Sequence, residues 1–356
     1  NDAALGWGFA AYEFTRYRAA KLSRPDLVWP ANADRTAVRQ MLDATTLLRD
    51  LINIPAEDLG PSELANEARK VGRTFKARVR VTTGDALIKA NYPMIHMVGR
   101  ASDDAPRLID MRWGTKGPQV TLVGKGVCFD TGGLDLKPAA GMLRMKKDMG
   151  GAAHALALGQ LIMAAKLPVR LRVLIGAVEN AVAGNAYRPW DVLQTRKGLT
   201  VENANTDAEG RLVIGDCLAE ASREKPDMLL DFATLTGAAR VAVGTGLAAV
   251  FANDDKLYAD LEKHGAATSD PMWRLPLHKP YRALLNSKVA DISSASDGPF
   301  GGAITAALFL QEFVDDDVPW AHFDIMAWNT GNLPGRPTGG EAQGLRAAFS
   351  TLKARF

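Results

Sequence analysis

The sequence has few cysteines and no excess of either charge sign. Its two cysteines, Cys128 and Cys217, form neither a CxxC pair nor a disulfide framework, so a reducing, cytoplasmic location is expected. Lysine and arginine number 43 against 40 aspartates and glutamates, and the formal net charge is only +3. This balance indicates neither a nucleic-acid partner nor a membrane partner.

Long apolar runs and several familiar catalytic patterns are also missing. The most apolar stretches, 155–165 and 241–252, hold about a dozen residues, whereas a helix that spans a bilayer needs about 20. There is no HExxH motif, no GxSxG elbow and neither of the glycine patterns that bind nucleotides. The five histidines are scattered, and His154 is expected in a core or on a helix surface rather than at a metal. No charged-then-apolar leader follows Asn1.

What the sequence does contain is an alternation of strand and helix patterns. With 356 residues and 47% apolar content, it can bury a large core. A helix is predicted to begin at the capping residue Asp34 and to end before Pro55. The other main predicted elements are strands at 78–82, 108–112, 120–124, 171–178 and 229–233 and an alanine-rich helix at 150–165. This order predicts an α/β fold with a central, mostly parallel twisted sheet and helices on both faces.

The segment NTDAEGRL, residues 205–212, places two acids just before a predicted helix. The helix is indicated by apolar residues at helical spacing, namely Ile214, Cys217, Leu218 and Ala221. On a helix, Asp207 and Glu209 would point in nearly opposite directions, so they converge only if the backbone there is extended or looped. Convergence would favour a cation, because the two carboxylates repel each other. The alternative is a helix cap by Asp207 with Glu209 complementing the helix dipole, and both can hold at once.

A glycine-rich turn at residues 124–133 follows a predicted strand and exposes Lys125 and Asp130 beyond it. A lysine and a carboxylate in one turn can equally form a simple ion pair, and this alternative stays open. The acids of the two loop regions are Asp130, Asp148, Asp207 and Glu209. Oxygen ligands with few histidines suit Mg²⁺, Mn²⁺ or Zn²⁺. Four carboxylates could hold two such ions roughly 3.5–4 Å apart, as in many hydrolases.

These segments resemble the leucyl aminopeptidase family, the cytosol aminopeptidases of peptidase family M17. The matching motifs are NTDAEGRL (205–212), GKGVCFDTGGLDLKPAAGMLRMKKDMGGAA (124–153), NIPAED (53–58), EN (179–180) with GNA (184–186), and DFATLTGA (231–238). The resemblance covers roughly residues 35–350 and implies a zinc-peptidase-like dimetal catalytic domain over 35–356. Residues 1–34 are then expected to be an N-terminal helix and linker, a remnant or short form of the family's N-terminal region.

The resemblance implies a role for each acid and for one lysine. Asp130 and Glu209 match the residues that bridge two metal ions. Lys125 and Asp148 match ligands of the tighter site, and Asp207 matches a ligand of the more exchangeable site. A lysine can be a ligand only as a neutral amine, which two adjacent cations would favour by lowering its pKa. The implied cofactors are two divalent ions per subunit, Zn²⁺ or Mn²⁺ or Mg²⁺, and bicarbonate.

The resemblance also implies a catalytic pair and a substrate pocket. Lys137 matches the residue that polarises the scissile carbonyl, and Arg211 matches the residue that holds bicarbonate, the general base. The backbone of Leu235 is expected to help stabilise the gem-diolate. The residues implied to form the pocket for the first side chain are Met145, Thr234, Leu235, Gly237, Met326 and Asn329.

The activity implied is that of a metalloexopeptidase that releases N-terminal residues from small peptides by a metal-activated water. It belongs to class EC 3.4.11.-, with EC 3.4.11.1 as the specific expectation. The implied assembly is a homohexamer, a dimer of trimers whose active sites face an interior cavity. Two alternatives remain at this point: a non-catalytic binding or assembly paralogue, and a metal hydrolase that acts on an ester or phosphate. All seven implied ligand and catalytic positions are present, which argues against the paralogue.

Three departures from the family pattern bear on these expectations. Members usually carry another N-terminal α/β domain, and this sequence begins with Asn1 near the linker that follows it. Its basic residues, Arg18, Lys21 and Arg24, are expected to form a solvated face. Met326 follows Asp-Ile where a small residue is common, so we expect a reshaped or narrowed pocket in which leucine preference is not assured. Trp190 stands where a glycine is expected.

Overall fold

The computed structural model of the chain describes residues 1–20 and 25–356. Lys21 and Arg24, which belong to the predicted basic face, lie outside the described residues. The helices are α1 (Asp2–Ala11), α2 (Arg35–Asn53), α3 (Pro61–Phe75), α4 (Ala86–Lys89), α5 (Pro93–Gly99), α6 (Ala139–Met142), α7 (Gly150–Ala164), α8 (Glu209–Ser222), α9 (Gly237–Val243), α10 (Asp255–Ala267), α11 (Gly302–Gln311) and α12 (Leu345–Arg355). Short 3₁₀ turns occupy Ala56–Asp58, Met145–Met149, Thr206–Ala208 and Lys279–Leu285.

The strands form one large sheet and two small ones. They are β1 (Arg78–Thr83), β2 (Arg107–Trp113), β3 (Gln119–Asp130), β4 (Arg170–Asn180), β5 (Val192–Gln194), β6 (Thr200–Glu202), β7 (Met228–Ala233), β8 (Ala248–Ala252), β9 (Met272–Arg274), β10 (Ile292–Ser293), β11 (Trp320–Asp324), β12 (Trp328–Asn329) and β13 (Gly339–Gly340). The large sheet has the order β1-β2-β4-β3-β7-β11-β8-β9. The small sheets are β10-β6-β5 and β12-β13.

The centre of the large sheet is parallel, as predicted. Strands β4, β3, β7 and β11 run side by side in the same direction. The departures lie towards the edges, where β2 pairs antiparallel with β1 and β4, and β8 pairs antiparallel with β11. The predicted α/β fold is therefore confirmed, and the carboxyl ends of the central strands meet at one edge of the sheet.

Helices cover both faces of the sheet because successive side chains of a strand point in opposite directions. On β3, Leu122 packs into a core with α2, α3, α7 and α12, whereas Val123 packs into a second core with α5, α8 and α11. Both side chains are fully buried. The predicted apolar face of α8 lies in the second core, where Ile214, Cys217, Leu218 and Ala221 are fully buried. Cys128 and Cys217 are buried free thiols.

The predicted first long helix is present as α2. The side chain of its cap, Asp34, accepts a hydrogen bond from the Ala37 N–H at 3.0 Å. The helix ends at Asn53, and Ile54 is extended because the residue before a proline is disfavoured in the helical region. Predicted strand 120–124 is the first part of a longer strand, β3, so the expectation that Lys125 and Asp130 are exposed in a turn beyond it is wrong, and both are buried within the strand.

The N-terminal segment contacts α2 through polar side chains. Arg49 donates to the Phe9 carbonyl at 3.1 Å, and the Tyr12 hydroxyl donates to Asp50 at 2.7 Å. The helix expected within residues 1–34 is α1, and the boundary at residue 34 stays a prediction. Within the described residues, none of the helices combines the length and the apolar character that crossing a lipid bilayer requires.

Trp190, the residue expected to be glycine, has a left-handed backbone with φ of 68°. Glycine adopts this conformation without the Cβ penalty that other residues incur. Its N–H donates to the Asn203 carbonyl at 2.6 Å, which holds the turn in place. The left-handed backbone of this turn therefore explains why the family pattern has glycine at this position. In this protein an exposed tryptophan adopts the same backbone conformation.

Candidate metal centre

Four carboxylates and two lysines meet where the central parallel strands end. We call this group the acidic centre; its members are Lys125, Asp130, Lys137, Asp148, Asp207 and Glu209. Lys125 and Asp130 lie on β3, and Asp148 lies in the 3₁₀ turn that precedes α7. The turn Thr206–Ala208 brings the remaining two acids to the same edge. The glycine-rich loop and the NTDAEGRL segment, distant in sequence, are therefore adjacent in space.

The backbone before α8 is what allows Asp207 and Glu209 to converge. Asp207 lies in the 3₁₀ turn, and its N–H donates to the Asn205 side chain at 2.7 Å. Glu209 is the first residue of α8, which has no side-chain cap. Carboxylate oxygens of Asp130, Asp207 and Glu209 lie within 4.8 Å of one another. The convergence is therefore found, and the capping role considered for Asp207 is not, since Asn205 makes the capping bond of this turn.

Lys125 joins the other acid to this group. Its buried ammonium lies 2.7 Å from Asp148 Oδ2 and 2.8 Å from Glu209 Oε1, and it donates to the Thr234 carbonyl at 3.2 Å. The start of α8 approaches it so closely that a Cβ atom on Gly210 would lie 2.5 Å from Lys125 Cε. Glycine at position 210 is therefore a steric requirement of this contact.

Asp130 is held in a fixed orientation by three partners. Its Oδ1 accepts hydrogen bonds from the Gly132 N–H and the Asn180 amide, both at 2.9 Å. Its Oδ2 lies 2.8 Å from the ammonium of Lys137, which also contacts Asp207. Asn180 ends β4 and is fully buried. The carboxylate of Asp130 thus points from the end of one strand towards the other acids with little freedom to turn.

Crowding of buried carboxylates disturbs their proton affinity. Burial and then the neighbouring charge of Asp130 raise the pKa of Glu209 to about 8, and the same two causes raise that of Asp207 to about 6. Burial opposes the charged form of Lys125, but Asp148, Glu209 and Asp130 outweigh it and raise its pKa. Glu209 Oε2 is buried without a hydrogen-bond partner. The two lysines therefore neither neutralise all four carboxylates nor supply a hydrogen bond to each carboxylate oxygen.

These observations fit a divalent cation. The oxygens of Asp130, Asp207 and Glu209 are hard donors at spacings that one or two ions could bridge. An unpartnered buried carboxylate oxygen is costly unless a cation or donor contacts it, and Glu209 Oε2 is such an atom. The five residues expected to be ligands are thus brought together in space.

Arg211 lies one turn into α8, two residues after Glu209. Its Nη1 donates to the Ser294 carbonyl at 2.7 Å, whereas its Nε is buried without a partner. Burial lowers its pKa to about 10, against the opposing charges of Glu209 and Asp324. The guanidinium is therefore cationic at neutral pH and has donor capacity that protein groups leave unused, as an anion site requires.

The residues expected to form the substrate pocket differ in what their polar groups contact. Thr234, directly after β7, donates its hydroxyl to Asp148 Oδ1 at 2.7 Å, and the Leu235 N–H is taken by Asp324 Oδ1 at 3.1 Å. Met326 is nearly buried, with 8% of its surface exposed. The amide of Asn329 instead donates to the Arg336 carbonyl at 2.5 Å, so its polar group serves the neighbouring loop.

Three polar residues near the centre have no role in the motif-based expectations. Asn180 orients Asp130, as described above. Lys147 is 1% exposed beside Asp148, and burial lowers its pKa to about 8, while Asp148 raises it and Arg240 and Lys125 lower it. Arg240 is the single charged residue of α9. Of the last two, Arg240 had a signal in the sequence, since it interrupts a segment that is otherwise small or apolar, whereas Lys147 is flanked by the charged residues Lys146 and Asp148.

A profile of known families matches most of the chain. The pattern described as the cytosol aminopeptidase family, catalytic domain, matches residues 46–349. A probable cytosol aminopeptidase of Nitrobacter winogradskyi is 43% identical over 338 residues, which cover 90% of this chain and 67% of that protein. One of Roseiflexus castenholzii is 42% identical, over 86% of this chain and 64% of that protein. The chain thus spans about two thirds of the length of these relatives.

Solved structures of similar proteins share the fold over almost the whole chain. The cytosol aminopeptidase from Coxiella burnetii is 55% identical with a TM-score of 0.97, and the match covers 99% of this chain and 77% of that one. The bottromycin maturation enzyme BotP in complex with Mn is 37% identical with a TM-score of 0.93, over 99% and 78% of the two chains. Both the similar fold and the similar sequence extend through all six members of the acidic centre.

Proposed function

The chain belongs to the cytosol aminopeptidase family, and from this premise we propose that it is a metal-dependent exopeptidase that removes the first residue of small peptides. The observation that carries the proposal is the convergence of Asp130, Asp207 and Glu209 within 4.8 Å, with Lys125 bonded to the third and to Asp148. Two divalent ions per subunit are the proposed cofactors. The Mn complex of the similar BotP supports Mn²⁺ among the candidates, which also include Zn²⁺ and Mg²⁺.

Each acid has a proposed position in the metal centre. Asp130 and Glu209 would contact both ions, Lys125 and Asp148 would hold one, and Asp207 would hold the other. Asp207 is the most exposed acid of the set, with 35% of its side chain accessible, which suits the more exchangeable site. When bound, the ions supply Lewis-acid charge for the substrate's free amine and carbonyl and lower the pKa of a water.

Lys137 is the residue proposed to act on the carbonyl. Its ammonium lies at the rim of the centre with 14% of its side chain exposed, next to Asp130 and Asp207. These acids outweigh the effect of burial and raise its pKa, so the lysine remains charged at neutral pH. A fixed positive charge that faces the scissile carbonyl stabilises the oxyanion more than the ground state.

Arg211 is proposed to hold bicarbonate, which supplies a general base. The part of the guanidinium that does not bond Ser294 includes the buried, unpartnered Nε. A planar oxyanion suits the fork geometry of a guanidinium. Its role is to bind and orient that base near the reacting atoms, so that a proton can pass from the nucleophile to the leaving amine.

Location and assembly are part of the same proposal. Two buried free thiols fit a reducing compartment such as the cytoplasm. A homohexamer is proposed from the family resemblance, with no nucleic acid or membrane as partner. The specific class EC 3.4.11.1 depends on a preference for leucine, and that preference depends on the pocket.

The test is hydrolysis of aminoacyl-nitroanilides that differ in the first side chain, so that a narrow specificity does not hide the activity. Protein loaded with Mn²⁺ or Zn²⁺ should cleave at least one of the Leu, Met, Ala, Gln and Glu substrates. Chelator should abolish cleavage, and N-acetylation of the substrate should block it. Lys137→Met should lose activity, whereas Lys353→Met, at an exposed lysine of α12, should not. Absence of cleavage across the panel by metal-loaded protein would favour the non-catalytic paralogue.

A further inference from the structure

Two cations adjoin the proposed substrate pocket, and the proposed mechanism uses neither. Lys147 lies in the 3₁₀ turn Met145–Met149, between the pocket residue Met145 and the proposed ligand Asp148. Arg240 lies on α9, one turn after the pocket residue Gly237. Charged side chains at such positions are costly in an apolar pocket unless a partner of opposite charge binds there.

Arg240 is placed to contact the first side chain of a substrate. A Cβ atom on Gly237 would lie 3.5 Å from Arg240 Nη2, so the guanidinium covers the surface that this glycine leaves open. Within residues 1–20 and 25–356, the Arg240 side chain forms no ion pair and no hydrogen bond. Its donors are therefore available to a ligand in the pocket.

Lys147, in the same 3₁₀ turn as Met145, adds a second positive charge near the proposed pocket. Its Nζ is buried and has no hydrogen-bond partner in the described part of the chain. The nearest acid, Asp148, has its Oδ1 3.9 Å away, and this oxygen accepts the Thr234 hydroxyl while Oδ2 faces Lys125. The positive charge of Lys147 is therefore poorly compensated on the side of the centre.

Asp324, the other acid near these cations, also accepts its hydrogen bonds from other donors. Asp324 Oδ1 accepts the N–H groups of Leu235 and Thr236, both at 3.1 Å, and its Oδ2 accepts the Thr236 hydroxyl at 2.6 Å. Neither Asp148 nor Asp324 thus forms an ion pair with Arg240. Within the described residues, no carboxylate oxygen lies closer than 3.9 Å to Lys147 Nζ, and Arg240 forms no ion pair, so neither cation has a close partner of opposite charge.

We propose that Arg240, supported by Lys147, makes this pocket selective for an acidic first residue, so that peptides beginning with Glu or Asp are the preferred substrates. The inference rests on the proposed exopeptidase function and names the substrate class of its pocket. A carboxylate would form charge-assisted hydrogen bonds with the guanidinium. Leucine would instead cover those donors without replacing the water that solvates them.

The sharpest comparison is between substrates that differ only in charge. Glu and Gln nitroanilides have nearly the same shape, and Leu and Lys complete the set. For the wild-type protein, kcat/KM for Glu is expected to exceed that for Gln and for Leu by at least about tenfold, since one charge-assisted hydrogen bond is worth that factor. Lys should be the poorest of the four.

Two variants and one control assign the effect to the two cations. Arg240→Leu should bring the Glu-to-Gln ratio close to 1 and raise kcat/KM for Leu, and Lys147→Met should lower the ratio severalfold. Arg223→Leu, the same change at an arginine whose side chain is 71% exposed, should leave the ratio unchanged. Inhibition by free L-glutamate against L-glutamine gives a second readout without turnover, and Arg240→Leu should abolish the difference.

Each outcome bears on one of the two proposals. If wild-type protein cleaves Gln or Leu substrates as well as Glu substrates, the acidic preference is overturned while the exopeptidase function stands. If the preference exists but survives both Arg240→Leu and Lys147→Met, the assignment to these residues is overturned. If no substrate with a free amine is cleaved, the proposed function itself fails.

Discussion

Two dense charge clusters of this protein differ in the balance of their charges. In the acidic centre, four carboxylates face two lysines. In the second cluster, which we call the arginine network, three arginines face three acids; its members are Asp110, Arg112, Arg172, Arg196, Glu220 and Glu224. Both clusters lie against the large sheet, and both contain side chains with little exposure to solvent.

Each charge of the arginine network forms an ion pair with another member of the network. Arg172, with 3% of its side chain exposed, lies 2.8 Å from both Asp110 and Glu220 and 3.0 Å from Glu224. Burial favours the neutral form of Glu220, but hydrogen bonds and charges from Arg172 and Arg196 outweigh it and lower its pKa. The pKa of Glu224 is lowered for the same kind of reason, with Arg112 as a partner.

Glu209 and Asp207 differ from Glu220 and Glu224 in the direction of their pKa shift, which is upward because they are buried near like charge. Asp148 of the acidic centre behaves like the network acids, because Lys125 lowers its pKa against the effect of burial. The raised pKa values of Glu209 and Asp207 fit a site that a cation from outside the chain would complete, as we propose. The comparison predicts that substitutions in one cluster affect chemistry and those in the other affect folding.

The largest expected effect is on catalysis by Glu209→Gln. Bound metal should fall and kcat/KM should decrease at least about 10³-fold, the scale seen when one essential group is lost. The unfolding free energy of the chelated protein should change by less than about 1 kcal/mol, because the variant also removes a like-charge repulsion. Elemental analysis, kinetics and urea unfolding measure these quantities. Glu262→Gln, at an exposed position of α10, is the control, and retained metal with full activity would contradict the assignment.

Arg172→Met should have the converse effect. It leaves three acids without their shared partner, and removal of one member of a buried ion pair costs about 3–5 kcal/mol. The activity per folded molecule should stay within about threefold of wild type, since the network lies apart from the acidic centre. Urea unfolding with active-site titration checks both. A large loss of activity in fully folded protein would contradict the proposed difference between the clusters. The control is Arg223→Met, the same change at an exposed arginine.

Metal removal should destabilise the protein through the acidic centre alone. With free metal at 100 to 1,000 times its Kd, chelation should lower the unfolding free energy by about 3–4 kcal/mol and abolish activity, and both should return on reloading. Arg172→Met should show the same metal-dependent shift, whereas Glu209→Gln should lose most of it. Equal shifts in both variants would mean that the metal acts elsewhere.

The smallest expected effect is a pH dependence in the arginine network. Because the pKa of Glu220 is lowered in the folded protein, the unfolded chain binds more protons below the ordinary value of 4.5. The stabilisation is therefore complete at neutral pH and is lost as pH falls through the folded value. The stability gap between wild type and Glu220→Gln should shrink between pH 7 and pH 3 in urea unfolding. A gap that is constant with pH would contradict the ion network.

The residue types of the acidic centre could be predicted because each sits at a recognisable point of the chain. Asp130 ends the buried strand β3, Asp207 precedes the helix α8 and Glu209 begins it, so the rule for parallel sheets placed them at one edge. The family motifs then specified a role for each. The capping role of Asn205 escaped this reasoning, because the 3₁₀ turn before α8 has no periodic signature.

The charges of the pocket could not be predicted in the same way. Lys147 and Arg240 are 93 positions apart in the numbering, and they lie in separate elements, the 3₁₀ turn before α7 and the helix α9. The sequence shows only that Arg240 interrupts a small, apolar segment and that Lys147 lies among other charged residues. Whether a buried lysine has a hydrogen-bond or ion-pair partner depends on side chains from other elements. The spacing of apolar residues along the sequence does not show which side chains these are.

The sequence by itself determined the order of strands and helices, the edge at which ligands collect, and the chemical types of the proposed metal ligands, because these follow from local patterning and from motifs. The tertiary structure alone decided which charges neutralise one another. Lys125 contacts both Asp148 and Glu209, while Arg240 forms no ion pair with any acid in the described part of the chain. The physical reason is that electrostatic energies depend on distance and burial, and both are set by packing between elements far apart in the chain.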